Sequence, residues 1–160
     1  MTQIDTASAE QQTPTRLVRA NHRRRELNEA MTDLERVVAG PSSAAGWLDR
    51  VAAGLARVDE ALRAHIDEVA GPDGLLAEIL EVAPRLAGEA RELDQEHETL
   101  DDAMERANLS IATARRRPEP TSNAAVRRRV TTLLGRLTRH RQHGSDLVYE
   151  AYNVDISAAD

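Results

Sequence analysis

Apolar residues recur every three or four positions along four stretches of this chain, and breaks that contain proline separate the stretches. These breaks lie at 40–43, 83–84 and 117–123. Residues three and four positions apart lie on the same face of an α-helix, so each stretch predicts an amphipathic helix. Because short links join antiparallel neighbours, the pattern predicts an all-α, antiparallel up-down four-helix bundle.

The ends of the predicted helices follow from proline, glycine and hydroxyl side chains. Thr13 and Pro14 are typical of a helix start, since threonine can cap the first turn and proline needs no N–H partner there. Residues 1–13 have no apolar period and predict a flexible N-terminal tail, and we expect a C-terminal tail at 154–160. Within the domain at 14–153, the predicted helices run from Pro14 to Gly40, from Ser42 or Ser43 to Ala83, from Pro84 to Ala114, and from Asn123 to Tyr152.

The sequence Gly71-Pro72-Asp73-Gly74 interrupts the apolar pattern of the second helix, which resumes at Leu75. Proline removes a helical hydrogen bond, and glycine tolerates backbone conformations that end helices. The interruption predicts either a kinked continuation or a new short helix capped by Asp73. We therefore expect the second helix to be kinked or split.

The composition disfavours several classes of function. A chain of 160 residues with a net charge of −6 suits one domain and lacks the basic surface of a dedicated nucleic-acid or anionic-membrane binder. The absence of cysteine excludes disulfides, thiolate metal sites and thiol catalysis. We find neither the roughly 18 apolar residues of a membrane span nor the apolar core of a signal peptide, so we expect a cytoplasmic protein. Arginine used without lysine, together with abundant alanine, is typical of a GC-rich bacterial genome.

Three of the five histidines fall on the apolar stripes of three different predicted helices. At about 100° of rotation per residue, His97 lies about 30° from the centre of its stripe, His140 about 50° and His65 about 60°. With a rise of about 1.5 Å per residue, their distances from the turns place them within about two helical turns of one height. His22, on the first helix, lies about 150° from its stripe and should face solvent on a regular helix. The pattern predicts a layer of three histidines inside the bundle.

Interior histidines of this kind have two interpretations. A single imidazole on an apolar stripe is most often neutral, hydrogen-bonded and merely packed. Several imidazoles that meet in a cysteine-free core need either hydrogen-bonding partners or a shared cation, because a buried polar atom without a partner is costly. Only histidine and carboxylate side chains are available here as metal ligands.

The order and spacing of the histidines resemble the hemerythrin-like family, the HHE cation-binding four-helix bundles. That family has a histidine on the first helix, His-x-x-x-Glu on the second, a histidine often preceded by glutamate on the third, and His-x-x-x-Glu or His-x-x-x-x-Asp on the fourth. The resemblance spans about residues 16–153, and it implies a carboxylate-bridged non-haem di-iron centre that reacts with dioxygen, peroxide or nitric oxide. The matching stretches are Asn21-His22-Arg23, Leu62-Arg63-Ala64-His65-Ile66-Asp67-Glu68, Asp94-Gln95-Glu96-His97 and Leu137-Thr138-Arg139-His140-Arg141-Gln142-His143. The candidate ligands are His65, His97 and His140, followed by His22, Glu68 and Asp101.

Two departures from the family pattern affect the number of metal ions. A carboxylate four residues after a histidine would share its face of the helix. In this chain Val69 follows His65 at that spacing, and Gly144 follows His140. A di-iron centre uses roughly five histidines and two bridging carboxylates, so the sequence favours a mononuclear centre, or a lost one, over a di-iron centre.

Two alternatives stand beside iron binding. One is a metal-free structural or interaction bundle that has lost the di-iron site. The other is phosphate binding by the arginine runs at 23–25, 115–117 and 127–129, which ranks lower because such runs are usually solvated or paired with acids. The leading hypothesis is an iron-binding protein whose partner is a small diatomic gas or peroxide, with neither nucleic acid nor membrane as a partner. The histidine pattern predicts that a metal ion is bound, and it does not distinguish binding or sensing of the partner from catalytic turnover.

Overall fold

The computed structural model describes residues 6–154, and side chains are described for residues 16–153. A short 3-10 helix (Pro84–Leu86) precedes the fourth α-helix, and a π-helix (Glu150–Val154) follows the fifth. Within this described range there is no β-strand, and none of the helices combines the length and the apolar character that crossing a bilayer requires. The α-helices are α1 (Thr6–Ala39), α2 (Trp47–Ala70), α3 (Leu75–Val82), α4 (Ala87–Arg116) and α5 (Pro120–Tyr149).

Four rods form the bundle, and α2 and α3 together make the second rod. The closest pairs are α1 with α2 and α4 with α5. Contacts of α1 with α5 and of α2 with α4 close the ring. The links between consecutive rods are short, which makes neighbouring rods antiparallel. The prediction of an all-α four-helix bundle with a split second helix is confirmed.

The second rod splits between α2 and α3, so the break produces a new short helix. Gly74, rather than Asp73, occupies the N-cap position of α3, and no side chain caps the helix. A β-carbon at Gly74 would lie 2.5 Å from the carbonyl oxygen of Val69 and 2.9 Å from that of Gly71. The turn therefore depends on a close backbone approach that only glycine permits, and the predicted capping role of Asp73 is wrong.

Two helices begin earlier than predicted. α1 begins at Thr6 rather than near Thr13, because the Ala-Glu-Gln-Gln sequence at 9–12 consists of strong helix formers even without an apolar period. α5 begins at Pro120 rather than Asn123, since proline is well suited to the first turn of a helix. Of the predicted tails, residues 1–5 and 155–160 lie outside the described residues.

α2 begins at Trp47 and not at Ser42 or Ser43. Gly46, which precedes it, has a φ of 71°, a left-handed conformation that glycine adopts without strain. The Trp47 side chain is buried, and its Nε1 donates to the carbonyl oxygen of Val37 at 3.0 Å. Burial of this ring against the end of α1 fixes the start of α2 and outweighs the capping signal of the serines.

The buried apolar residues form two clusters at different heights of the bundle. One cluster extends toward the α1–α2 and α4–α5 links, and the other includes buried residues of α3. Between them on α2, α4 and α5 lie His65, His97 and His140, so a polar layer divides the core. The residues nearest the layer are Leu62, Leu100 and Leu137 in the first cluster and Val69, Leu93 and Leu147 in the second.

Candidate functional site

Three histidines from three helices meet between the two apolar clusters. His65, His97 and His140 expose only 8%, 7% and 3% of their surface. The ring centre of His140 lies 5.7 Å from that of His65 and 4.9 Å from that of His97, and both pairs are in edge-to-face contact. The structure therefore brings these three candidate ligands together inside the bundle. We call them the histidine layer.

Glu96 of α4 accepts hydrogen bonds from two histidines of α5. His140 donates through Nδ1 to one carboxylate oxygen at 2.7 Å, and His143 donates through Nδ1 to the other at 2.8 Å. Burial raises the pKa of Glu96, but the hydrogen bonds from His143 and His140 outweigh it and lower the pKa below its ordinary value. An ionised carboxylate only accepts hydrogen bonds, so Nδ1 of His140 carries the proton and Nε2 of the neutral ring keeps its lone pair.

A second carboxylate orients His97 in the same way. Nδ1 of His97 donates to Asp94 Oδ1 at 3.3 Å, one turn earlier on α4. Nε2 of His97 is buried and has no hydrogen-bond partner among the described residues. Buried polar atoms without partners are rare in proteins and often indicate a bound ion or water.

Burial keeps two rings of the layer, His65 and His140, uncharged. It lowers the pKa of His65 to about 3, with further lowering by His140, His97 and two arginines. Burial also lowers the pKa of His140, although the hydrogen bond to Glu96 partly offsets this. At neutral pH both rings are therefore neutral, the form in which imidazole binds metals. Like Nε2 of His97, Nδ1 of His65 is buried without a partner in the described part of the chain.

The first rod contributes an arginine rather than a histidine beside the layer. Arg24 of α1 and Arg141 of α5 line, together with His65 and His140, a cavity of about 40 Å³. Arg24 donates through Nη1 to Ser145 Oγ at 2.8 Å. Burial lowers the pKa of Arg141, and the charge of Arg24 lowers it further. Two cationic side chains therefore border the neutral imidazoles; we call this space the arginine cavity.

The two positions at which the hemerythrin-like pattern has carboxylates also face the arginine cavity. Val69 and Gly144 both line it, four residues after His65 and His140. The helical geometry expected from the sequence is therefore present, but the side chains there are apolar or absent. Neither position offers a carboxylate that could bridge two metal ions.

The remaining candidate ligands lie away from the layer. The side chain of His22 is 58% exposed on α1, in agreement with its phase, and its Nε2 lies 3.2 Å from Glu26. Glu68, three residues after His65, is rotated about 60° from that histidine and pairs with Arg19 instead. Asp101, one turn after His97 on α4, is exposed.

Four residues take part in the site although the apolar periodicity does not select them: Glu96, His143, Arg24 and Arg141. For two of them, the sequence offers one indication, which is their closeness to a buried histidine. Glu96 directly precedes His97, and His143 follows His140 by three residues. The pairing of Glu96 with His140 depends on how α4 and α5 are rotated against each other. The pattern of a single helix does not specify that rotation.

The arginine runs are partly engaged in contacts within the chain. Arg23 pairs with Glu26 at 2.9 Å, and Arg115 pairs with Asp49 at 3.1 Å. Arg127 donates to the carbonyl oxygen of Gly40 and lies over the ring of Trp47. These contacts give the arginines local structural roles at the surface and at one end of the bundle.

The histidine layer is a set of donors and not a finished coordination sphere. Within residues 6–154, no group of three or more histidine, aspartate or glutamate side chains is already arranged to hold a metal ion. The rings meet edge to face, so metal binding requires them to turn. Rotation of an imidazole about χ2 is soft, and the neighbouring backbone need not change.

The chain matches no protein-family profile, no curated protein and no solved structure. The resemblance to hemerythrin-like bundles therefore rests on the order and spacing of the histidines alone.

Proposed function

We propose that the histidine layer binds one metal ion, non-haem iron or a related divalent cation, as in a hemerythrin-like protein with a reduced site. Its role would be to bind, sense or detoxify dioxygen, peroxide or nitric oxide. The proposal rests on one observation: in both His97 and His140, Nδ1 is hydrogen-bonded to a carboxylate. The lone pair of Nε2 is then available to a metal ion inside the bundle. Histidines that bind metals usually have this arrangement, with the second ring nitrogen on a carboxylate or carbonyl. Arginine used without lysine, together with abundant alanine, supports a bacterial origin, and the lack of a long apolar stretch supports a cytoplasmic setting.

The separations between the rings support a shared ion. Two imidazoles bound to one metal through nitrogens about 2.1 Å from it have ring centres roughly 5 Å apart. The two observed separations are 4.9 Å and 5.7 Å. Turning the rings therefore requires little movement of the helices that carry them.

One metal ion suits the site better than two. The family's bridging positions carry Val69 and Gly144, and Arg24 and Arg141 add positive charge beside the layer. Like charges repel strongly where little water screens them, so a second cation without a bridging carboxylate would be unfavourable. A single divalent ion can have its charge offset by an anionic ligand in the arginine cavity.

A bound iron would supply redox chemistry and an open coordination position. Burial keeps His65 and His140 neutral and excludes bulk water from the layer. Glu96 acts as a positioning residue, because it fixes the tautomer and orientation of His140. The arginine cavity, with about 40 Å³ beside His65 and His140, has room for a diatomic molecule or peroxide.

Metal content after anaerobic reconstitution tests the proposal. Untagged protein that is treated with a chelator and then supplied with Fe(II) should hold about one iron per chain and melt at a higher temperature, because a ligand selective for the folded state stabilises it. His97→Ala should abolish both the iron and the shift in melting temperature. His22→Ala changes an exposed histidine on α1 and is the matched control, which should retain both. Wild-type protein that takes up no metal, or His97→Ala protein that takes up as much, would contradict the proposal.

A metal-free structural or interaction bundle is the second candidate. The apolar residues at the bridging positions and the two arginines beside the layer favour it. In this candidate the hydrogen bond between His140 and Glu96 serves to join α5 to α4. Absence of metal uptake, together with a marked loss of stability in His140→Ala, would support it over iron binding.

A further inference from the structure

The arginine cavity combines apolar walls with cationic side chains and has a different character from the histidine layer beside it. Its volume is about 40 Å³, and its apolar walls include Val69, Leu76, Ile79 and Leu93. One buried water needs roughly 10–15 Å³ of cavity volume, so this cavity suits a molecule of about three or four heavy atoms. Larger organic ligands would not fit without movement of the helices.

The two charged side chains that line this cavity are both arginines. Arg24 donates to a serine hydroxyl and to no carboxylate among the described residues. Arg141, on α5, lines the same cavity and has no carboxylate partner in that part of the chain either. In the described part of the chain, two partly exposed guanidinium groups thus line one cavity, and neither is paired with a carboxylate.

Two polar atoms at the cavity are buried without partners. His65, which is more than nine-tenths buried, has an unpartnered Nδ1, and Arg141 has an unpartnered Nε, in each case among the described residues. A guanidinium group has donors in a planar fork that matches a carboxylate. An unmet guanidinium donor in a cavity of this size indicates a small anionic acceptor.

We propose that the arginine cavity binds a short monocarboxylate of the size of formate or acetate, whose carboxylate lies between Arg24 and Arg141 and whose carbon end faces Ile79 and the other apolar walls. The carboxylate supplies the missing negative charge, and the apolar walls select against strongly hydrated inorganic anions. The binding requires no metal, so it can be tested on metal-free protein, although the cavity borders the proposed iron site.

Titration of metal-free protein with sodium acetate in the presence of EDTA tests this proposal. Heat or chemical-shift changes should saturate, with a dissociation constant in the millimolar range, and chloride at the same ionic strength should not compete. Arg141→Gln and Arg24→Gln should each weaken acetate binding by about tenfold or more, because each removes charge-assisted hydrogen bonds. Arg139→Gln alters an exposed arginine of the same helix and should leave acetate binding unchanged.

Several outcomes would overturn the carboxylate site. These are acetate binding that does not saturate, acetate binding that survives Arg141→Gln, and acetate binding seen only after iron is added. Benzoate tests the size of the space, since it exceeds the volume of the cavity. Benzoate bound as tightly as acetate would place the ligand elsewhere. Circular dichroism of both arginine variants should show the helical content of the wild type, so that a loss of binding reports on the site.

Discussion

Among single residues, Glu96 orients His140, the ring of the histidine layer that contacts both of the others. It is only partly buried, yet both of its oxygens accept hydrogen bonds from imidazoles of α5. Those bonds place the proton of His140 on Nδ1 and leave the lone pair of Nε2 available to the proposed metal ion. A neutral amide at position 96 has one oxygen for two such donors and lacks the negative charge that favours them.

Glu96→Gln should therefore lower the affinity for metal without removing the site. Loss of a carboxylate behind a metal-bound histidine typically reduces affinity by about 10-fold to 100-fold. Competition against a chelating dye measures this change, and the stoichiometry at saturation should stay near one ion per chain. Glu98→Gln, an exposed change on the same helix, is the matched control. An affinity of Glu96→Gln equal to that of the control would remove the positioning role of Glu96.

His65 makes the stability of the fold sensitive to acid. An unfolded histidine takes up a proton near its ordinary pKa of 6.5, whereas burial delays protonation of folded His65 to about 3. Between these values the unfolded state holds more protons, so the free energy of unfolding falls as the pH falls, by up to about 1.4 kcal/mol per pH unit. His65→Leu removes this contribution. Urea unfolding of both proteins at neutral pH and near pH 5 should show a smaller acid-induced loss in the variant, and equal losses would contradict the assignment.

Among the helices and turns, the turn between α2 and α3 has the strictest requirement for glycine, at Gly74. A β-carbon at Gly74 would meet backbone carbonyl oxygens at 2.5 Å to 2.9 Å, whereas one at Gly135 on α5 meets nothing within 4 Å. Gly74→Ala should therefore reduce the free energy of unfolding by about 1–3 kcal/mol through overpacking. Gly135→Ala should raise it by about 0.5–1 kcal/mol, because alanine is the better helix former. Urea unfolding of both variants measures the contrast, and a neutral Gly74→Ala would show that the turn relaxes freely.

The sequence predicts the helices and their buried faces well, because each apolar stripe reports on the helix that carries it. His65, His97 and His140 lie on such stripes and are buried. The contacts of Glu96 and Arg24 were not predictable in the same way. Glu96 reaches His140 across the α4–α5 contact, and Arg24 lines a cavity with residues of α2 and α5, so both depend on the relative rotation of packed helices. The start of α2 was also predicted wrongly, because burial of the Trp47 ring, a tertiary contact, outweighed the local capping signal of the serines.

For the whole molecule, the division of the core is the main consequence of the histidine layer. The apolar clusters above and below it are separated by three imidazoles, and His65 and His97 each have a buried nitrogen without a partner among the described residues. An apolar side chain in place of each ring would join the two clusters. A layer that persists at the expense of stability is expected where function requires it, since active sites commonly trade stability for activity.

The combined variant His65→Leu, His97→Leu and His140→Leu tests whether the layer is kept for function or for the fold. Leucines bury apolar surface and leave no unpaired nitrogen, so the metal-free variant should gain about 1–3 kcal/mol in free energy of unfolding over metal-free wild type. It should also take up no iron, and its stability should depend less on pH. Urea unfolding in EDTA, with iron analysis of the same preparations, gives both readouts. If the variant were instead less stable than wild type, the hydrogen bonds of the imidazoles would be holding α4 and α5 together, and the metal-free structural bundle would become the better description of the molecule.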